Sequence, residues 1–224
     1  MSLLWNRPER PSATLVLAHG AGAPMDSPFM TGMAELLAER GIQVARFEFD
    51  YMDRRRREGI KAPPDRAARL LARFDAVVGQ VLEEAGTGLP LWIGGKSMGG
   101  RMATLLAADT EADKQPWTGV VALGYPFHPP GKPERTRTEH LPSLSRPTLI
   151  CQGERDPFGK PPEVAGYALG SRVTVTWLPD GDHDLKPRKS APVSHQDNLR
   201  EAADRIVEFI DALADVRRPG PVFR

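Results

Sequence analysis

The chain has 224 residues, with 30 basic and 29 acidic side chains and a formal net charge of +1. That balance supplies no global field for nucleic acid or an acidic membrane, and the length suits one α/β domain with a real core better than two. The single cysteine, Cys151, excludes an internal disulfide framework and a cysteine-rich metal site, and its apolar setting reads as a buried spectator rather than a nucleophile.

Apolar runs alternate with amphipathic segments along the chain, the pattern of a mostly parallel sheet covered by helices. Residues 13–18 read as the first central strand, which runs into the turn His19-Gly20-Ala21-Gly22. Ser27-Pro28 offers an N-cap and a first-turn proline for a helix with Phe29, Met33, Leu36 and Leu37 on one face, closed by Gly41. A strand is expected over 43–49. The four consecutive arginines at 54–57 read as a solvated loop rather than an anion site, since the overall charge is balanced and no aromatic residues are interleaved. A long helix follows over 66–82, with Leu70, Leu71, Phe74, Val77, Val78, Val81 and Leu82 along its stripe. Further strands are expected at 91–93, 119–124, 147–152 and 173–178. The proline-rich stretch 125–146 reads as loop, 162–169 as a short helix, and Ser194 as the cap of a final helix with Leu199, Ala203, Ile206, Ile210 and Leu213 inward. Residues 1–216 then form one domain and 217–224 a frayed tail.

The most informative segment is Gly94-Gly95-Lys96-Ser97-Met98-Gly99-Gly100. A buried strand, a serine in the frame G-x-S-x-G and a helix together make a nucleophile elbow. The chain passes close to such a serine, so the positions two before and two after need glycine. The plainer reading is a glycine-rich turn with an idle serine. Gly95-Lys96-Ser97 is also the tail of a phosphate-binding P-loop, but that motif needs glycine at 90, where Pro90 stands, and an open loop where Leu91-Trp92-Ile93 reads as strand.

A serine needs a base, a group to orient the base, and donors for the oxyanion. In open parallel sheets such groups gather at the carboxyl ends of strands. Asp156 follows the fifth strand and His183 the sixth, in the order Ser97, Asp156, His183. Asp156 alone would be an ordinary turn aspartate before proline, and His183 alone an idle loop histidine. Glu154 is a substitute for the acid and His195 for the base; His19 reads as holding its own loop. The oxyanion donors are expected to be the N–H of Met98 and that of Ala21, with Gly22 as the neighbouring choice.

Together these segments resemble the α/β-hydrolase superfamily, in particular its small bacterial members related to dienelactone hydrolase. More narrowly, they resemble the family that includes the testis-expressed hydrolase-like protein and a domain of a nonspecific-lethal chromatin subunit. The resemblance is carried by His19-Gly20-Ala21-Gly22 with Pro28-Phe29-Met30, by Gly94 to Gly100, by Gln152-Gly153-Glu154-Arg155-Asp156-Pro157-Phe158-Gly159, and by Gly181-Asp182-His183-Asp184-Leu185. It implies a three-layer α/β-hydrolase fold with helices on both faces of a mostly parallel sheet, and Ser97 as nucleophile, His183 as base and Asp156 as acid. The N-terminal hairpin of many such sheets is missing, which leaves about six strands. Lys96 stands where many hydrolases have histidine; it reads either as a cation favouring anionic substrates or as an outward surface lysine. Only 125–146 is available as a lid, so the site suits small or water-soluble acyl substrates.

The implied function is a serine hydrolase of esters or thioesters, without metal or organic cofactor. The alternative is a non-catalytic interaction module that kept the hydrolase shape; a nucleotide-binding protein is the weaker third. The chain shows no signal-peptide pattern and no window near the ~20 apolar residues of a membrane span. Cytoplasmic localisation, with no nucleic-acid or membrane partner, is the expectation.

Overall fold

The computed structural model describes residues 2–86, 88–108, 114 and 116–216. Its sheet has seven strands in the order β1-β3-β2-β4-β5-β6-β7. They are β1 (Leu4–Asn6), β2 (Ala13–Ala18), β3 (Ile42–Phe47), β4 (Leu91–Lys96), β5 (Trp117–Leu123), β6 (Thr148–Gly153) and β7 (Val173–Leu178). Strands β2 to β7 are mutually parallel, and β1 alone runs antiparallel, on β3. The expectation of about six strands therefore needs one addition. Among the described residues no hairpin opens the sheet, but a three-residue strand pairs Leu4 with Arg46 and Asn6 with Val44. So short a strand has no alternation to announce it and exists through its partner.

The central strands are buried on both faces, as parallel strands under two helical layers must be. Side chains alternate between two cores. Val16, Ala18, Leu91 and Ile93 face helices α3 (Ala67–Glu84) and α4 (Met98–Ala107). Leu15, Leu17 and Trp92 face α1 (Pro28–Glu39) and α6 (His195–Val216). Gly119 makes room for Trp92, since a Cβ there would run into the indole ring. On α6, Leu199, Ala203, Ile206 and Ile210 are buried and Leu213 packs beside them. Full burial of each branched side chain contributes about 1.5–3 kcal/mol. Ser194 caps α6 reciprocally: its Oγ accepts from Asp197 N (3.1 Å), and its own N–H donates to Asp197 Oδ2 (2.9 Å). Ser27 stands at the N-cap of α1 but makes no side-chain capping bond there.

One loop expectation and two helix expectations are corrected. The arginine run lies on helix α2 (Asp50–Glu58), not on a loop. Three of its four arginines are paired: Arg54 with Asp65, Arg57 with Asp53, and Arg56 with both Asp26 and Glu48 at 2.7 Å. Only Tyr51 and Met52 of α2 are buried, so ion pairs and not an apolar stripe fix this helix. Leu82 of α3, expected inward, is exposed; the stripe ends at Val81. The short helix α5 (Pro161–Val164) covers only the start of the expected span. The tail over 217–224 lies outside the described residues. Among the described residues no helix is long and apolar enough to cross a membrane.

Candidate active site

Strand β4 delivers Ser97 to the carboxyl edge of the sheet in a backbone conformation of φ 51°, ψ −114°. A non-glycine residue there is strained and persists because its surroundings hold it. Ser97 N donates to Leu123 O (2.9 Å) and Ser97 O accepts from Arg101 N (3.0 Å), which begins α4. A Cβ on Gly95 would lie 2.5 Å from Gly99 C, and one on Gly99 2.6 Å from Ala18 O. Both glycines are therefore demanded by close backbone approach. The phosphate-loop reading does not survive: β4 pairs with β2 on one side and β5 on the other, so its amides are committed to the sheet.

Three side chains from three strand ends meet at this edge. His183 Nε2 lies 2.9 Å from Ser97 Oγ, and His183 Nδ1 lies 2.8 Å from Asp156 Oδ2. A carboxylate only accepts, so Nδ1 carries the proton and Nε2 is free to accept from the hydroxyl. Asp156 is fully buried, and its Oδ1 accepts from Phe158 N (2.9 Å). Gln152 Nε2 donates to Asp156 Oδ2 (2.9 Å), a partner that the sequence reading did not single out. Its only forward signal is its place at the buried end of β6. The Phe158 ring lies against the imidazole, with centroids 4.4 Å apart.

The alternatives separate from this trio. Glu154 Oε2 accepts from Asp180 N (2.8 Å), in the turn after β7. His195 lines the cavity onto which Ser97 and His183 open, but its Nε2 faces Asp184 O at 2.8 Å. His19 is buried; its Nε2 accepts from Phe49 N (3.1 Å) and its Nδ1 faces Gly20 O (2.6 Å). Burial lowers its pKa, which keeps the ring neutral in this role of holding the loop. Cys151 is fully buried in β6, and burial pushes its thiol up to about 12.

The loop after β2 closes over the serine. A Cβ on Gly20 would lie 3.6 Å from Ser97 Cβ, and Tyr51 Oη donates to Ala21 O (2.9 Å). Neither Met98 N–H nor Ala21 N–H has a backbone acceptor among the described residues. Met98 sits at the start of α4, where amides have no intrahelical partner and the helix dipole favours negative charge.

Lys96 is not an outward surface residue. Its side chain is 8% exposed, its Nζ donates to His183 O (2.8 Å), and it pairs with Asp184 Oδ1 at 3.2 Å. Burial pulls its pKa below the usual lysine range, and Asp184 opposes that pull. Lys96, Ser97 and His183 line a cavity of about 600 Å³, walled by Ala21, Phe29 and Phe158. That volume is in the range of small-molecule sites. No residue of 125–146 lines it. That stretch packs elsewhere: Tyr125 Oη donates to Arg137 O (2.9 Å), His140 Nε2 meets Thr104 Oγ1 of α4 (2.9 Å), and Leu141 is buried.

A parallel sheet, a strained serine between strand and helix, and an Asp–His pair from the next strand ends define a class of fold. The chain belongs to the α/β-hydrolase family, whose "Alpha/beta hydrolase domain" description matches residues 11–211. Solved structures show the same fold. An α/β serine hydrolase homologue from Coxiella burnetii is 19% identical, with a TM-score of 0.68 over 92% of this chain and 89% of that one. Dienelactone hydrolase from Anabaena variabilis is 20% identical, with a TM-score of 0.67 over 92% and 88%. An α/β serine hydrolase without lid from Xanthomonas campestris is 18% identical, with a TM-score of 0.62 over 98% and 90%.

Proposed function

We propose that the protein is a serine hydrolase that cleaves a carboxylic ester or thioester through an acyl-enzyme on Ser97. The observation that carries this reading is the hydrogen-bonded relay from Ser97 Oγ through His183 to buried Asp156, at 2.9 and 2.8 Å. In this reading His183 Nε2 takes the hydroxyl proton as Ser97 Oγ attacks the acyl carbon. Asp156 stabilises the imidazolium without taking the proton itself. The N–H groups of Met98 and Ala21 receive the tetrahedral oxyanion. His183 then gives its proton to the leaving alcohol or thiol. Water, deprotonated by the same imidazole, attacks the acyl-enzyme and releases the acid and free Ser97.

The reading includes a single catalytic domain over residues 1–216, acting in the cytoplasm without metal or cofactor. A cavity of about 600 Å³ that residues 125–146 do not line supports a small or water-soluble acyl substrate. The test is labelling with a fluorophosphonate probe beside turnover of p-nitrophenyl esters of graded chain length and acyl-CoA thioesters. Wild type is expected to be labelled and to turn over the shorter esters; Ser97→Ala is expected to do neither, with a loss on the order of 10⁶ in kcat. A folded wild type that resists the probe and cleaves none of the panel would end the proposal.

A further inference from the structure

Lys96 and Ser97 are consecutive in the chain, and both reach His183. The serine hydroxyl meets the imidazole, while the Lys96 ammonium donates to the histidine's own carbonyl oxygen at 2.8 Å. Among the described residues no other group donates to that oxygen.

The carbonyl sits at a mechanically sensitive place. Leu185 N donates to Asp182 O (2.9 Å), so residues 182–185 form a β-turn with His183 and Asp184 at its centre. The central peptide of a β-turn has two orientations, which differ by roughly 150° in ψ of the first central residue. The second needs a positive φ at the next residue, here Asp184, whose φ is negative in this structure but which as an aspartate tolerates that region better than most side chains. Here that residue is His183. Its peptide is pinned at both ends: Lys96 takes the C=O, and Asp182 Oδ1 accepts from Asp184 N–H at 2.9 Å. Asp184 Oδ1 holds the ammonium in place at 3.2 Å.

We infer that Lys96 is a positioning residue for the base: by holding the His183 carbonyl it selects one orientation of the turn, and so aims the imidazole between Asp156 and Ser97. This rests on the hydrolase reading above. It differs from a substrate-binding role for the same cation. A positioning residue acts on kcat with every ester, whereas a substrate contact acts on KM with anionic ones.

The test rebuilds the side chain on a folded protein. Lys96→Cys is purified and alkylated either with 2-bromoethylamine, which restores an ammonium at the lysine's reach, or with 1-iodopropane, which ends in a methyl group at the same length. The native thiol of Cys151 is fully buried, with its pKa pushed up to about 12, and stays unreactive. Wild type carried through both reagents is the control. With a neutral p-nitrophenyl ester, the aminoethyl form is expected within about threefold of wild-type kcat. The propyl form is expected about 10–100-fold lower with KM within about twofold, the scale of a misplaced catalytic group. Lys96→Met should match the propyl form. Equal kcat for the two alkylated forms overturns the inference, as does a difference confined to KM. A wild type that no fluorophosphonate labels overturns the hydrolase reading itself and takes this inference with it.

Discussion

The carbonyl oxygen of Ala18 lies 2.6 Å from the point where a side chain on Gly99 would begin. The first central strand and the helix after Ser97 therefore touch backbone to backbone, and the elbow has no room for a methyl group. Gly95→Ala and Gly99→Ala are each expected to cost about 1–3 kcal/mol or more of stability and to abolish fluorophosphonate labelling. Gly32→Ala and Gly79→Ala, in α1 and α3 with nothing within 4 Å of the added carbon, should instead stabilise by about 1 kcal/mol. Urea unfolding of the four variants separates the two kinds of glycine.

Asp156 holds one imidazole tautomer, and Gln152 holds Asp156. Asp156→Asn keeps the shape but lets Nδ1 become the acceptor, so kcat is expected to fall about 10⁴-fold with KM little changed. Gln152→Met removes one hydrogen bond to a charged group, a contribution of about 1.5–3 kcal/mol, and is expected to lower kcat about tenfold. Steady-state kinetics on one ester gives the order.

Stability should fall as the solution is acidified from about pH 6.5 towards 4. Burial lowers the pKa of His140 from its ordinary 6.5 to about 4, and that of His19 in the same direction. In that window the unfolded chain binds more protons than the folded one, so the stability present above 6.5 is lost as pH falls through the folded value. Urea midpoints at pH 7, 5.5 and 4.5 should decline, and His140→Gln should decline less steeply.

Arg56 joins Asp26, ahead of α1, to Glu48, whose side chain is 4% exposed. Arg56→Ala strands a buried carboxylate and is expected to cost about 1–3 kcal/mol, between the exposed and fully buried limits. Arg57→Ala, which breaks an exposed i,i+4 pair, should stay within about 0.5 kcal/mol. Thermal melts of both, with Glu48→Gln/Arg56→Ala recovering part of the loss, would check it.

The positions that meet at the sheet edge were legible because each has local punctuation. Ser97 stands in a glycine frame, Asp156 before a proline after a strand, and His183 in a turn after the next strand. Strands β2 and β7 were legible residue for residue, through their apolar or alternating runs. What escaped the reading depends on distant partners. Strand β1 exists through β3, and helix α2 through carboxylates at Asp26, Glu48 and Asp65. The inward turn of Lys96 depends on a carbonyl 87 residues away. Gln152 likewise looks like one more strand residue until the loop that follows it folds back.

With 125–146 docked against α4, Ser97 is reached without any hinge having to swing. Under the proposed function, arrival at the serine is then expected to follow collision frequency rather than a conformational clock. In the same hydrolase reading, an acyl group joined to a bulky alcohol or carrier leaves that body in bulk solvent while its carbonyl alone enters.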